Sequence, residues 1–195
     1  MILGIDATNI RSGGGLTHLK EILENGDPNR FGISKVVIWS NTKTLNKFPN
    51  FIWLQKVTHN LLNKSFIFSF IYQVFYLSKS AKKKYNCNLL FVPGGTFLGS
   101  FDTIVSMSQN MLPFEEIEYL RFNSWKMRLR FSLLRFTQSH TFKKSKGLIF
   151  LNNYAKNVIT STLNIKGNKY KTIPHGINSN FIKEPAIQKQ IAEFN

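Results

Sequence analysis

The stretch Met1-Ile-Leu-Gly-Ile-Asp-Ala-Thr-Asn-Ile-Arg-Ser-Gly-Gly-Gly15 determines how the rest of the chain is interpreted. Its first part, Ile2 to Asp6, is a short apolar run that indicates a buried strand, and Ala7 to Gly15 is a loop that closes in three glycines. Leu16 to Asn25 follows, with apolar residues at helical spacing. A strand, a glycine-rich loop and a helix in this order predict the first unit of a parallel α/β sheet.

The same alternation of strand and helix continues along the chain. Six further strands are predicted, at 35–39, 51–54, 89–92, 103–107, 147–151 and 170–173. Three further helices are predicted within 61–85, 124–142 and 154–163. We therefore expect an α/β fold, with a Rossmann-like, mostly parallel sheet flanked by helices.

Two of these helices carry apolar residues on one side. The helix within 61–85 has five of them at helical spacing, namely Leu62, Phe66, Phe70, Val74 and Leu77. In the helix at 124–142 one face holds Trp125, Leu129, Leu133 and Phe136, whereas Arg128 and Arg135 fall on another. The spacing in the helix at 124–142 is that of a strongly amphipathic helix.

Size and composition indicate a globular protein with one sizeable core. The chain has 195 residues, of which 43% are hydrophobic. Its single cysteine, Cys87, excludes an internal disulfide framework and borders an apolar run, so a buried thiol in a reducing compartment is expected. The N-terminus lacks a basic signal-peptide region. The longest uncharged stretch in an apolar setting, Ser65–Ser78, is shorter than the roughly 20 residues of a membrane span.

The formal net charge of +16 has three possible explanations. It is typical of proteins that bind nucleic acid, of proteins that bind an anionic membrane surface, and of AT-rich coding sequences that enrich Lys, Asn, Ile and Phe. For the membrane, the aromatic and basic segment 66–84 forms a candidate surface together with cations further along the chain, at 121, 126, 128, 130, 135, 143, 144 and 146. The alternative is that these aromatic residues fill the core while the lysines are solvated.

The loop Gly13-Gly-Gly15 is the first candidate binding segment. Glycines between a strand and a helix let the backbone approach a ligand, and the N–H groups at the helix N-terminus favour an anion such as a diphosphate. The alternative is a flexible turn. An NAD site is disfavoured because His18 stands where the fingerprint needs its third glycine and Ser40-Asn-Thr42 contains no acid.

Other common sites are missing from the sequence. It contains no Gly-x4-Gly-Lys-Ser/Thr phosphate loop and no Gly-x-Ser-x-Gly nucleophile elbow. Its four histidines are scattered, and no Asp-x-Asp pair is present, so neither a metal nor another cofactor is expected. The DNA-binding helix-turn-helix, zinc-finger and RNP patterns are also missing, which makes nucleic acid an unlikely partner.

Two polar segments follow neighbouring predicted strands. The first contains Gly94, Gly95 and Thr96, and the second contains Gln109 and Asn110. Carboxamides both donate and accept hydrogen bonds, which suits a ligand rich in hydroxyl groups. Ordinary turn chemistry is the alternative. Because ligands of such sheets bind outside the carboxyl ends of the strands, we expect these segments and the glycine loop to meet at one edge.

In order and spacing, these motifs resemble glycosyltransferase family 4, a large group of retaining enzymes with the GT-B fold. The resemblance extends over essentially the whole chain. It is carried by Gly13-Gly-Gly15, Pro93-Gly-Gly95, Gln109-Asn-Met-Leu-Pro-Phe114, Gly147-Leu-Ile-Phe-Leu-Asn-Asn-Tyr-Ala155, and Ile173-Pro-His-Gly-Ile177 with Phe181.

The resemblance implies two Rossmann-like domains separated by a cleft. Residues 1–177 would be the N-terminal, acceptor-side domain, and 178–195 the linker or the start of a C-terminal domain that holds most of the donor. The hinge would contain Pro174, His175 and Gly176. The family's paired glutamates, seven residues apart, belong to that second domain, so no catalytic residue is assigned to this half and little activity of its own is expected.

Site residues and partners are implied in the same way. Gly14 and Gly15 would approach the donor diphosphate. Gln109 and Asn110 stand where family members often place a polar residue, frequently His, and here only hydrogen bonding is expected of them. The resemblance implies a nucleotide-sugar donor, a glycan or lipid-linked acceptor, no strict need for a divalent metal, and bacterial surface polysaccharide synthesis at the inner face of the cytoplasmic membrane. The alternatives are a sugar-nucleotide epimerase of the same architecture, a basic binding module and a degenerate truncated gene product.

Overall fold

One parallel sheet organises the protein, as seen in a computed structural model that describes residues 1–115, 117–118, 121, 124–167 and 169–176. The strands lie in the order β3-β2-β1-β4-β5-β6-β7, and every neighbouring pair is parallel. They are β1 (Ile2–Asp6), β2 (Lys35–Trp39), β3 (Leu54–Val57), β4 (Leu89–Val92), β5 (Ile104–Ser108), β6 (Gly147–Phe150) and β7 (Tyr170–Thr172). The predicted α/β, Rossmann-like fold is confirmed.

Helices connect these strands. The α-helices whose bounds lie within the described residues are α1 (Gly14–Asn25), α2 (Thr42–Leu45), α3 (Phe66–Tyr72), α4 (Trp125–Lys144) and α5 (Asn153–Leu163). Two π-helical segments, Gln73–Leu77 and Ser80–Lys84, follow α3, and short 3-10 turns lie at Pro28–Phe31 and Leu112–Phe114. Three clusters of buried side chains form the core.

The order of the strands reverses between β1 and β4. From β1 the chain adds β2 and then β3 on one side, whereas β4 pairs with the other side of β1 and the later strands continue outward from it. In open α/β sheets, the crevice at such a reversal is the usual place for a ligand. The loops after Asp6 and after Val92 border this position.

Most predicted strands are confirmed, but the third was placed too early. The bounds of β1, β2 and β4 match the prediction, and those of β5, β6 and β7 agree within one residue at each end. The third strand is Leu54–Val57 rather than 51–54. Phe51 stacks on Trp53 with ring centroids 5.0 Å apart, and Leu54 N donates to Phe51 O, so residues 51–53 form a turn that leads into the strand.

Helix α1 begins at Gly14, so Gly14 and Gly15 belong to its first turn and not to the preceding loop as predicted. The reason is that Gly13 O accepts hydrogen bonds from Leu16 N and Thr17 N, which closes the turn around the glycines. Gly13 itself has a φ of 73°, a conformation that side-chain-bearing residues rarely adopt. The predicted glycine loop is therefore one loop glycine followed by a helix N-terminus.

The predicted apolar side of the helix within 61–85 is only partly correct. Leu62 and Leu77 are fully buried, but Phe66 is 57% exposed. The polar residues Ser69 and Gln73 are fully buried instead. Ser69, Gln73 and Leu77 are spaced four residues apart and share the buried side, which places Gln73 against Asp6 at the end of β1.

The apolar face that the sequence indicates for α4 is exposed. Trp125, Leu129, Leu133 and Phe136 are all more than half exposed. The helix packs through its opposite side, which contains Phe131, Gln138, Thr141 and Phe142. Thr141 explains this orientation, because its hydroxyl binds both Phe97 N and Phe97 O and fixes the helix to the segment that follows β4.

Candidate functional site

A buried carboxylic acid ends β1 at the strand reversal. Asp6 is 3% exposed, and its Oδ1 accepts from Thr8 N at 3.0 Å and from Thr8 Oγ1 at 2.7 Å. Its Oδ2 accepts from Gln73 Nε2 at 2.6 Å. Burial raises the pKa of Asp6, although the hydrogen bonds from Thr8 and Gln73 oppose that shift. Asp6 thus holds the loop after β1 against the segment after α3.

Gln73 connects this acid to the loop after β4. Its Nε2 also donates to Thr96 O at 2.9 Å, and the whole side chain is buried. Gly94 comes close to the loop after β1, because a Cβ at this position would lie 4.0 Å from Asn9 Cβ and from Ile10 Cγ1. The predicted segment 94–96 therefore lies beside the loop that begins at Asp6.

Gly15 and Gln109 lie against each other. A Cβ added at Gly15 would be 2.9 Å from Gln109 Oε1, whereas a Cβ at Gly14 would meet nothing within 4 Å. The start of α1 and the segment after β5 thus meet, as the sheet topology predicts for loops at the carboxyl ends of the strands. Asn110 plays a different part, because its Oδ1 accepts from Leu112 N and shapes the 3-10 turn.

Atoms of β5 and α4 leave almost no room for a side chain at Gly95. Its φ is 70°, and an added Cβ would lie 3.1 Å from Met107 O and 3.3 Å from Gln138 Nε2. This glycine lets the loop after β4 pass close to β5 and brings Gln138 of α4 to the same edge. Gln138 is 4% exposed.

Arg11 brings a positive charge to the loop between β1 and α1. Its guanidinium donates from Nη2 to Ser69 Oγ at 2.7 Å and from Nη1 to Lys64 O at 3.3 Å. Arg11 takes part in none of the ion pairs found among the described residues. Its charge therefore has no carboxylate partner in that part of the chain, next to the loop where sequence reasoning expects an anion.

Several buried polar atoms at this edge have no hydrogen-bond partner among the described residues. Three are carboxamide oxygens, which accept hydrogen bonds, and two are nitrogens, which donate them. The remaining two are hydroxyl groups, which can both donate and accept. These atoms are Asn9 Oδ1, Gln73 Oε1, Gln138 Oε1, Arg11 Nε, Gln109 Nε2, Thr96 Oγ1 and Ser108 Oγ. Buried polar atoms in native proteins nearly always have partners, so this edge is suited to a ligand or water with both donors and acceptors.

The predicted hinge segment contacts α1. The rings of His175 and His18 have centroids 4.1 Å apart and meet edge to face. Burial lowers the pKa of His18, and the charge of His175 lowers it further. Pro174, His175 and Gly176 are exposed. Ile177, Phe181 and the predicted linker at 178–195 lie outside the described residues.

A groove of about 390 Å³ opens beside the carboxyl end of β3. Three stacked or tilted rings line it, with centroid distances of 5.0 to 5.9 Å between His59, Tyr72 and Tyr76. Lysines form its rim, namely Lys79, Lys83 and Lys84. Sequence reasoning missed this groove because its rings come from both sides of Lys64 and are brought together only by the fold.

Sequence reasoning also missed Asp6, Arg11, Gln73 and Gln138 as members of the site. Arg11 had a detectable signal, because a cation between a strand end and a glycine loop is suited to an anion. The only signal for Asp6 was an acid at the end of an apolar strand. Gln73 and Gln138 lie within helices, and only the packing of those helices shows that they reach the edge of the sheet.

Among the described residues, no group of three or more His, Cys, Asp or Glu is placed to hold a metal. Cys87 is buried, as predicted, and burial raises the pKa of its thiol to about 11. Every helix within the described residues is too short or too polar to cross a membrane.

Comparison with known families finds no matching family model, and comparison with curated proteins finds no match.

Proposed function

We propose that this chain is the acceptor-side, N-terminal half of a retaining GT-B glycosyltransferase. Such an enzyme transfers a sugar from a nucleoside diphosphate sugar to a hydroxyl group of a glycan or lipid-linked acceptor, in bacterial surface polysaccharide synthesis. The observation that carries the proposal is the set of buried polar atoms without protein partners at the carboxyl edge. Sugar hydroxyls donate and accept at the same time, which matches the mixture of donors and acceptors found there.

The N-terminus of α1 and the Arg11 guanidinium are suited to bind the leaving diphosphate. In the reaction, the bond between the anomeric carbon and the diphosphate oxygen breaks, and the acceptor hydroxyl passes its proton to the departing diphosphate as its oxygen bonds to that carbon. Negative charge develops on the diphosphate, and N–H groups at a helix N-terminus together with a cation stabilise such charge. Nothing crowds Gly14. We assign these groups to the transition-state charge and no catalytic acid or base to this half.

The aromatic groove suggests the chemical class of the acceptor. Ring faces such as that of Tyr76, which is 49% exposed, pack against the apolar C–H face of a sugar. The three lysines at its rim favour a negative charge. We therefore propose an acceptor glycan that carries phosphate or carboxylate groups, bound along the groove towards the end of the sheet.

Deletion of the gene in its natural host tests the proposal. The expected result is a surface glycan that lacks one sugar, with accumulation of the shortened, lipid-linked precursor. The intact wild-type gene and its Gln55→Ala variant should restore the glycan, whereas its Gln109→Ala variant should not. Gln55→Ala is a matched control because it removes the same carboxamide group from a different place, the edge strand β3.

The same strain distinguishes the alternatives. A sugar-nucleotide epimerase predicts an altered pool of nucleotide sugars, with the shortened precursor formed only because its donor is missing. A basic binding module predicts a normal glycan, together with steep salt-dependent retention of the protein on DNA. A normal glycan with an unchanged precursor would contradict the proposal.

A further inference from the structure

Helix α4 has apolar side chains on two opposite sides. One side packs on the protein through Phe131 and Phe142, which are 6% and 0% exposed. The other side forms what we name the α4 stripe, with exposed fractions of 68%, 51%, 57% and 69% for Trp125, Leu129, Leu133 and Phe136. The spacing of i, i+4, i+8 and i+11 places these four on one line along the helix.

Cations border the α4 stripe on both sides. At 3.6 residues per turn, Lys126 and Arg130 fall on one flank of the stripe, and Arg128 and Arg135 on the other. Lys143 and Lys144 lie in the last turn, and the helix contains no acidic residue over its 20 positions. The nearest acid before it, Glu118, pairs with Arg121 at 3.1 Å.

We infer that the α4 stripe docks on the surface of a bilayer that contains anionic lipid. An exposed row of large apolar side chains between flanking cations is the pattern of a helix that lies in the membrane interface, with its rings and aliphatic groups below the headgroups. Charge complementarity selects this occupant, because anionic headgroups neutralise the flanking lysines and arginines. Pairing of two copies through the same face would bring the two sets of cations together.

The geometry of the helix fits this placement. The stripe runs over eleven residue steps, which at a rise of about 1.5 Å per residue is about 16 Å along the membrane plane. The helix docks without crossing, as its polar composition requires. The inference does not depend on the proposed transferase activity, although such a surface would bring the site close to a lipid-linked acceptor.

Sedimentation with vesicles of phosphatidylcholine, with or without phosphatidylglycerol, tests the inference on the full chain. Wild-type protein should bind the phosphatidylglycerol vesicles and bind phosphatidylcholine alone at least tenfold more weakly. Replacement of Trp125 and Phe136 by serine, or of Lys126 and Arg130 by glutamate, should lower binding by about tenfold or more. The emission of Trp125 should shift to the blue on binding and be quenched by brominated lipid, whereas Trp39 is already fully buried.

Control variants test whether vesicle binding depends on α4 in particular rather than on exposed apolar or basic residues elsewhere. Phe31→Ser with Ile52→Ser removes two exposed apolar side chains, 76% and 107% exposed, from outside α4. Lys43→Glu with Lys47→Glu changes the net charge as much as the α4 charge variant does. Both controls should retain at least half of the wild-type binding. Circular dichroism during thermal unfolding establishes that every variant is folded.

Two results would overturn the inference. One is wild-type protein that fails to bind phosphatidylglycerol vesicles, or a folded α4 variant that binds them as well as the wild type does. The other is self-association in sedimentation velocity that the serine variant abolishes, without vesicle binding. That result would assign the stripe to contact between copies of the chain.

Discussion

Gly15 lies so close to Gln109 that a Cβ on the glycine would be 2.9 Å from Gln109 Oε1. This contact joins the N-terminus of α1 to the segment after β5 across the carboxyl edge of the sheet. Its tightness leaves the Gln109 carboxamide little room to move towards α1. Gln109 Nε2 has no hydrogen-bond partner in the part of the chain that the structure describes, so this contact orients a group that we assign to the ligand.

Gly15→Ala should therefore displace the Gln109 carboxamide, whereas Gly14→Ala should not, because a Cβ at Gly14 meets nothing within 4 Å. We expect the Gly15 variant to lose ligand affinity about tenfold, equivalent to one hydrogen bond, while its unfolding temperature stays close to that of Gly14→Ala. Titration with the saccharide ligand, followed by NMR, measures the difference. Equal affinity of the two variants would remove Gln109 from the binding site.

Gly95→Ala should destabilise the fold by about 1–3 kcal/mol, because an alanine at a φ of 70° is strained and its Cβ would press on Met107 O. Gly94→Ala is the matched control, since the nearest atoms to its Cβ would be 4.0 Å away. Urea unfolding of both variants measures the free energy of unfolding. Equal stabilities would show that the close approach of this loop to β5 is not required.

The Asp6→Asn variant tests the buried acid. Its new Nδ2 would face Gln73 Nε2, two donors opposed, so a loss of about 1–3 kcal/mol in the free energy of unfolding is expected. Burial raises the pKa of Asp6 in the folded protein, so above pH 3.8 the folded state binds more protons than the unfolded state. The stability that the protonated acid contributes is complete below pH 3.8 and is lost as the pH rises through the folded-state pKa. The deficit of the variant should therefore shrink with rising pH.

Asp102→Asn is the control for that pH dependence. Asp102 is an exposed acid whose pKa the Lys82 ammonium lowers, so its contribution has the opposite sign: it is present above pH 3.8 and is lost as the pH falls. Urea unfolding between pH 3 and pH 7 should give opposite slopes for the two variants relative to the wild type. Parallel slopes would contradict the raised pKa of the buried Asp6 carboxyl.

The contact between His18 and His175 should be visible in an NMR titration. Burial and the charge of His175 both lower the pKa of His18, so its ring should titrate below 6.5. His175→Ala should raise that pKa part of the way, because burial, the larger cause, remains. His140→Ala, which removes an exposed ring from α4, should leave it unchanged. A His18 pKa at or above 6.5 in the wild type would show that the segment 173–176 does not rest on α1 in solution.

The sheet could be predicted from local pattern because each strand is a short apolar run bounded by turns. Parallel pairing then places all strand ends at one edge, which is why the glycines at 13–15 and 94–95 and Gln109 were correctly expected to lie together. The prediction of β3 was wrong because Phe51, Ile52 and Trp53 are apolar without being buried. Hydrophobicity alone does not distinguish a turn that stacks its own rings from a strand.

Helix faces were less predictable. The spacing of Trp125, Leu129, Leu133 and Phe136 is that of a core-facing stripe, yet hydrogen bonds from Thr141 to the Phe97 backbone turn the opposite side inward. Gln73 is a polar residue within a mostly apolar helical segment, and only the packing of that helix places its side chain against Asp6. The residues that complete the site are thus those whose position depends on packing rather than on local pattern.

Saturation-transfer NMR of the full chain, with nucleotide sugars and phosphate-bearing saccharides as ligands, measures whether this edge binds sugars. We predict transfer of saturation to the saccharide protons, lost in Gln109→Ala and retained in Gln55→Ala. No saturation of any saccharide, or equal saturation with both variants, would contradict the assignment of this edge as the sugar-binding half of a glycosyltransferase.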